Sequence, residues 1–278
     1  MNDPQTIVFT GATTGLGKVA ALKALSEGHH LLILSRNSEK SSELINDFKK
    51  EYPAKEANAV FIDCDLTSFK SIKTAIEEIK TKVSQIDMLV NNAGMWNTDF
   101  NETEDGFEET FQVNLLAPVY LLEGLMPLLK SSDKAKYIVT SSGLHQGSIN
   151  FEDIEYRANW SGFNAYRQSK LGVILMCRLF AKSHPEITFC AQHPGVVRTN
   201  LGHKFGWLSR AIFYLIGKSA KKGARTLIHL IESPKSELVS GEYYAKSKVT
   251  PITKESNDMQ MAVKLKKVID DNLGKLTY

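Results

Sequence analysis

The run Thr6-Ile7-Val8-Phe9-Thr10-Gly11-Ala12-Thr13-Thr14-Gly15-Leu16-Gly17-Lys18 decides how the rest of the chain is read. Thr6–Thr10 has the apolar, β-branched composition of a buried strand, and the glycines that follow fall where such a strand must turn tightly and expose its amides. From Leu16 an apolar pattern of helical period begins, so the strand feeds directly into a helix. A pyrophosphate can rest on such a helix start, drawn by unpaired N–H groups and by the positive end of the helix dipole. The spacing is G-x-x-x-G-x-G, not the G-x-G-x-x-G of the commonest dinucleotide fingerprint, so the turn alone does not define a nucleotide site.

The same alternation continues outward. Short β-branched runs at Leu31–Ser35, Ala59–Asp63, Met88–Asn91, Lys136–Thr140, Thr188–Gln192 and near Tyr243 read as strands. Between them, Leu16–Gly28, Glu39–Glu51, Ser68–Val83, Gly106–Leu129 and Ala165–His184 read as helices. Repeated strand–helix–strand units predict an α/β fold: a single Rossmann-type, doubly wound parallel sheet with helices on both faces. No repeat, low-complexity tract or linker interrupts the series, so residues 1–278 are expected to form one domain.

Composition excludes several kinds of function. The 34 basic and 31 acidic residues leave a net charge of +3 with no basic block to track a phosphate backbone, so no nucleic-acid partner is expected. Cys64, Cys177 and Cys190 lie far apart in apolar surroundings without a C-x-x-C pair or a metal-ligand cluster. They read as reduced thiols of a cytoplasmic protein, and no metal is expected. The N-terminus lacks a basic stretch leading into an apolar run, and no stretch of about 18 apolar residues runs free of charge, so neither export nor a membrane span is expected.

Candidate chemistry sits at the ends of the strands. Where a dinucleotide fold often carries an acidic residue for the adenosine ribose, this chain has Leu34-Ser35-Arg36-Asn37. A carboxylate there would repel a 2′-phosphate, whereas Arg36 can grip one bidentately, which argues for NADP(H); the plainer reading is a solvated surface arginine. Lys40 is a second candidate cation, or an ordinary helix surface residue. Tyr166 and Lys170 are spaced i, i+4 on one helix face. An unperturbed phenol has a pKa of about 10, and a cation ~4 Å away at an effective dielectric of ~20 is worth roughly 4 kcal/mol, enough to bring it into range for acid–base work. A hydroxyl from Ser141-Ser142, at the end of the fifth strand, would complete the site by hydrogen-bonding a substrate oxygen.

Taken together, the glycine turn, Asn91-Asn92-Ala93-Gly94, Ser141-Ser142, Tyr166-x-x-x-Lys170 and Pro194-Gly195 with Thr199 resemble, in order and spacing, the short-chain dehydrogenase/reductase family. Within it the chain looks most like the retinol-dehydrogenase-like branch, being similar in Thr-Gly-Leu-Gly-Lys, in Asp105-Gly106-Phe107-Glu108, in the long Ser-to-Tyr spacing and in His193-Pro194-Gly195-Val196-Val197-Arg198-Thr199. The resemblance implies that Tyr166 is the acid/base, that Lys170 lowers its pKa and holds the nicotinamide ribose, and that Ser142 rather than Ser141 contacts the substrate oxygen. It further implies that Asn114 supports a water-linked proton relay to the lysine. Gly11, Thr13, Thr14, Gly15, Leu16 and Gly17 would hold the pyrophosphate, Asp65 and Leu66 would flank the adenine, Asn92, Ala93 and Gly94 would line the adenosine side, and Val197 with Thr199 would contact the nicotinamide half.

Each of these residues also has a plainer structural reading: Asn92 as a strand tie, the serines as turn caps, Asn114 as a helix-bending polar residue. His145 reads as a pocket wall more readily than as a proton carrier, and Met95 and Trp96 as lining either the pocket or the core.

The resemblance therefore implies an interconversion of an alcohol and a carbonyl, for which Arg36 argues that the cofactor is NADP(H). Residues 200–222, rich in aromatic and aliphatic side chains, lie where family members place a substrate-binding lobe, which points to an apolar small molecule. Packing against the body of the fold or a partner subunit explains that segment nearly as well. Relatives often work near membranes and often dimerise through the helices corresponding to those of Asn114 and Tyr166, so peripheral membrane contact and a homodimer stay open. So do two rival functions: a cofactor-sensing regulatory protein without turnover, and a reductase of a conjugated double bond.

Overall fold

In a computed structural model of the chain, residues 3–195 and 219–276 are described. Val197, Thr199 and residues 200–218 of the expected substrate lobe lie outside the described residues. Among the described residues eight strands are formed: β1 (Thr6–Thr10), β2 (His30–Ser35), β3 (Ala59–Asp63), β4 (Met88–Asn91), β5 (Lys136–Thr140), β6 (Thr188–His193), β7 (Glu242–Ala245) and β8 (Lys248–Val249). They make one sheet in the order β3-β2-β1-β4-β5-β6-β7-β8. Every pairing from β3 to β7 is parallel, and β8 turns back antiparallel on β7. Strand order reverses direction between β1 and β4, so a crevice opens beyond their carboxyl ends, where doubly wound sheets place ligands.

Alternating side chains explain why both faces are covered. In β1 and its neighbours Val8, Leu32, Leu34 and Leu89 point into one core, while Ile7, Phe9, Leu31, Ile33, Met88 and Val90 point into the other. The first core is closed by α3 (Phe69–Lys82), α4 (Glu109–Lys130) and α5 (Gly162–Ser183), the second by α1 (Gly15–Ser26), α2 (Ser38–Glu51) and α6 (Arg225–Glu232). Polar residues ahead of the periodic stretches start the helices: Asn37 accepts from the Lys40 N–H, Ser68 from Ser71 and Ser161 from Asn164. The α4 run is long and apolar enough to cross a membrane by length and composition, yet two-thirds of it is buried in the protein.

The expected strands and five long helices are present, with ends displaced by a few residues. Elements that were not expected include α6, β8 and a C-terminal helix, α7 (Met259–Leu273). Its Leu265 reaches the crossing of α4 and α5, where a Cβ built on Gly172 would stand 2.7 Å from Leu115 and 3.4 Å from Leu265. At the amino edge of the sheet, away from the crevice, Asp87 accepts from the Thr6 N–H at 2.8 Å and from the Ser132 hydroxyl at 2.6 Å. Beside it Lys136, buried at the start of β5, donates to the carbonyls of Leu230, Ile231 and Ser233 at the end of α6.

Candidate active site

The turn after β1 is shaped by close backbone approach. A Cβ on Gly17 would fall 2.0 Å from the Gly11 carbonyl, and one on Gly11 would fall 2.8 Å from the Ala93 backbone, so both positions require glycine. Thr10 Oγ1 accepts from the N–H groups of Asn92 and Ala93, and Asn92 Nδ2 donates to the Gly11 carbonyl, tying the ends of β1 and β4 together. Thr14 is the N-cap of α1, makes no side-chain capping bond, and no acidic residue lies in the first turn. The first amides of α1 are thus left to an anion, and the fit to a nucleotide pyrophosphate follows from this cradle.

Further along the same edge, Arg36 is exposed and its guanidinium stands 3.5 Å from the Asp65 carboxylate. Burial raises the Asp65 pKa, but hydrogen bonds from the Thr67 N–H and hydroxyl, with Arg36, outweigh it and hold the carboxyl below its ordinary value. Arg36 and Asp65, read separately from the sequence, are therefore one ion pair in this structure. Lys40 is exposed on α2. A separate hollow of about 530 Å³ adjoins Asp65 and is ringed by Glu102, Glu104 and Glu109. Its acidic lining suits no phosphate, and it holds none of the groups at the reacting end.

That end is built by β5, α4 and α5. Ser141 and Ser142 follow β5, and the structure separates them: Ser141 Oγ donates to the Lys170 carbonyl at 2.8 Å, while the Ser142 side chain acts on the Tyr166 phenol, favouring its ionised form. Leu144 N–H donates to Ser142 Oγ at 3.1 Å. Tyr166 and Lys170 leave α5 on the same face, with the Lys170 ammonium 5.7 Å from the centre of the Tyr166 ring. Lys170 Nζ also donates to the Thr140 carbonyl at 3.0 Å. A Cβ on Gly94 would stand 3.2 Å from both Asn114 Oδ1 and Lys170 Nζ, so Gly94, Asn114 and Lys170 meet at one point.

The Asn114 side chain accepts from the Met95 N–H at 2.8 Å and donates to the Met95 carbonyl and Ser169 Oγ. It sits in a π-helical turn, Gln112–Leu116, a distortion that recurs at functional sites. Burial pushes the Tyr166 phenol above its ordinary value, with Ser142 opposing, and burial pulls the Lys170 ammonium down to about 8. Burial and Ser142 set the direction of the phenol's shift, and Lys170, 5.7 Å from the ring centre, does not enter it.

Several neighbours were missed or left undecided in the sequence. Trp96 lies flat on Tyr166, ring centres 4.5 Å apart and planes 8° apart, so it belongs to the site, with Phe163 beside it at 6.0 Å. His145 is buried, its Nδ1 2.7 Å from the Ser142 carbonyl. Gln192 donates to Thr140 Oγ1, which donates to Asn92 Oδ1, a line of side chains across the carboxyl ends of β6, β5 and β4. No local motif announces these contacts, because each partner lies on a different strand.

This geometry agrees with the comparisons. Residues 5–206 match the family model described as short chain dehydrogenase, and the chain belongs to that family of nicotinamide-dependent oxidoreductases. Retinol dehydrogenase 14 of Mus musculus is 32% identical, over 98% of this chain and 86% of that protein. Polyprenol dehydrogenase of Homo sapiens is 32% identical, over 87% of this chain and 77% of its own length. A crystal structure from Mycobacterium paratuberculosis has the same fold, with a TM-score of 0.79 at 24% identity over 97% of this chain and 93% of that one.

Proposed function

We propose that the protein interconverts an apolar alcohol and its carbonyl with NADP(H), Tyr166 handling the proton. The observation that carries this reading is the meeting of Ser142, Tyr166 and Lys170 beside Gly94 and Asn114 at the carboxyl edge of the sheet. A bound nicotinamide supplies or takes the hydride. The residues do the rest. Ser142 Oγ, steadied by the Leu144 N–H, holds the substrate oxygen; Tyr166 gives that oxygen its proton; the Lys170 cation offsets the phenolate left behind. Burial holds the phenol above its ordinary value in the free protein, so it stands ready as a proton donor. Asn114, locked on Met95, keeps the wall beneath Lys170 in place.

Gly11, Thr13, Thr14, Gly15, Leu16 and Gly17 take the pyrophosphate in this reading, Leu66 and the Asn92-Ala93-Gly94 turn the adenosine side, and Val197 and Thr199 the nicotinamide half. Arg36 supports NADP(H): a 2′-phosphate is a better partner for its exposed guanidinium than Asp65 at 3.5 Å. The aromatic surface of Trp96 and Phe163 beside Tyr166 supports an apolar substrate, as do the retinol and polyprenol in the relatives' names. We read the chain as one domain, since a single sheet is covered on both faces, and its three free buried cysteines suit a reducing cytoplasm. The test is binding of NADPH and NADH to the wild type, Arg36→Asp and Tyr166→Phe. NADPH preference that collapses in Arg36→Asp, with Tyr166→Phe binding NADPH but no longer reducing apolar aldehydes, is expected. Equal affinity for both nucleotides overturns the cofactor assignment, and full turnover by Tyr166→Phe overturns the mechanism.

A further inference from the structure

The loop carrying Ser142 is gripped from the far side of the sheet. The Ser142 carbonyl accepts two hydrogen bonds, from the Tyr243 hydroxyl at 3.0 Å and from His145 Nδ1 at 2.7 Å. A carbonyl only accepts, so His145 carries a proton on Nδ1. One residue on, the Gly143 N–H donates to His193 Nδ1 at 2.9 Å, which therefore carries none. The main chain on the carboxyl side of Ser142 is thus fixed at its carbonyl and at the next N–H, by side chains from β6, β7 and the loop itself. With Leu144 N–H already on Ser142 Oγ, the serine oxygen is held from one side and its proton is left to turn toward Tyr166, whose phenol Ser142 acts on.

Tyr243 is the most distant contributor to this grip. It lies 101 residues from Ser142 in sequence and enters through the register of β7 on β6, opposite Ala191. Its ring fills the core shared with α5 and tilts against the His145 ring at 5.0 Å, contacts a phenylalanine would keep. Only its hydroxyl reaches the loop's main chain. With the residue 3% exposed, that hydroxyl would lack a partner if the loop moved away, so loop position and hydroxyl satisfaction are coupled.

We propose that Tyr243 is a positioning residue for the reaction: its hydroxyl, together with His145, holds the Ser142 carbonyl so that the Ser142 hydroxyl stays aligned on Tyr166. The proposal rests on the reading of Ser142 and Tyr166 given above. Tyr243 acts through Ser142, whose carbonyl its hydroxyl holds.

A double-mutant cycle on the full chain tests it, with Tyr243→Phe, Ser142→Ala and the pair, using an apolar aldehyde that the wild type reduces. Tyr243→Phe is expected to lower kcat about tenfold, with NADPH affinity within about twofold and little change in Tm. In the Ser142→Ala background the same substitution is expected to change kcat less than about twofold, because the group it acts through is gone. Additive losses overturn the proposal, as does an unchanged kcat or a loss accounted for by NADPH affinity or Tm.

Amide hydrogen exchange at Gly143 and Leu144 tests the grip without turnover. About tenfold faster exchange in Tyr243→Phe is expected, and unchanged protection overturns the proposal. A wild type that reduces no carbonyl, yet shows that faster exchange on substitution, refutes the proposed function and leaves the positioning of the loop standing.

Discussion

Lys170 at the carboxyl edge of the sheet and Lys136 near its amino edge are buried alike, at 3% and 2% exposure, and differ in what they touch. Burial pulls both ammonium groups down to about 8. Lys136 uses all its donors on the end of α6, reaching three carbonyls at 2.8–3.0 Å. Lys170 has one such bond among the described residues, to Thr140, and otherwise faces Tyr166 and Gly94. The first is a saturated helix cap. The second has a single hydrogen-bonded protein partner among the described residues. A perturbed pKa therefore marks burial in both places, and the count of protein partners separates structure from chemistry.

Exchanging the two lysines' fates would break that comparison. Lys170→Met is expected to cut turnover by at least about a hundredfold with Tm unchanged or raised, since a buried, poorly partnered charge is removed. Lys136→Met is expected to leave turnover per folded molecule within about twofold, and to cost about 3 kcal/mol through three orphaned carbonyls, a fall in Tm of roughly 8 °C. Parallel kinetics and melting curves decide it: a stability loss in Lys170→Met or a large activity loss in folded Lys136→Met would show that partner count does not discriminate.

Acidity separates the two lysines next. Both have folded pKa values near 8, below the 10.5 expected of the unfolded chain. Between about pH 8 and pH 10.5 the unfolded chain holds more protons, so each lysine makes stability rise with pH across that window, and its burial cost is fully present below pH 8. Lys136→Met is expected to flatten the rise in Tm between pH 8 and pH 10 without moving the pH–rate profile. At the other edge, loss of the Lys170 charge is expected to make kcat/KM for reduction fall above about pH 8. Lys170→Arg is expected to remove that limb from whatever activity remains, because guanidinium does not lose its proton there. A limb that persists unchanged in Lys170→Arg assigns it to another group.

How much of this was legible follows from how local each signal is. The strand–turn–helix at Thr6–Lys18 and the period-matched helices were readable because their cause lies within a dozen residues. Ser142, Tyr166, Lys170 and Asn114 were readable as a set through a family pattern, although their spacing alone would not have distinguished Ser141 from Ser142; the Ser141 hydroxyl is spent on the Lys170 carbonyl, while Ser142 acts on the Tyr166 phenol. Lys136 was unreadable as a helix cap, since its partners lie 94 to 97 residues away, and the same distance hid Tyr243 behind its role as a strand marker. The ion pair of Arg36 with Asp65 joins two elements that the sequence presents separately.

Trp96 marks the boundary between these cases, readable as pocket or core but not as which. Its flat stack on Tyr166 gives the carboxyl edge an aromatic cover, with Phe163 half exposed beside it. Aromatic pairs contribute roughly 0.5–1.5 kcal/mol beyond buried area, a factor of about three to ten, so Trp96→Leu is expected to have the smallest effect considered. How that factor distributes over substrates carries the meaning. If the indole is substrate wall, kcat/KM falls threefold to tenfold for a bulky apolar aldehyde and less than twofold for a small one. If it only fixes the Tyr166 ring, both fall equally, because the proton transfer is common to both. The pair of aldehydes, assayed side by side in the variant and the wild type, thus assigns Trp96 either to recognition or to alignment of the phenol.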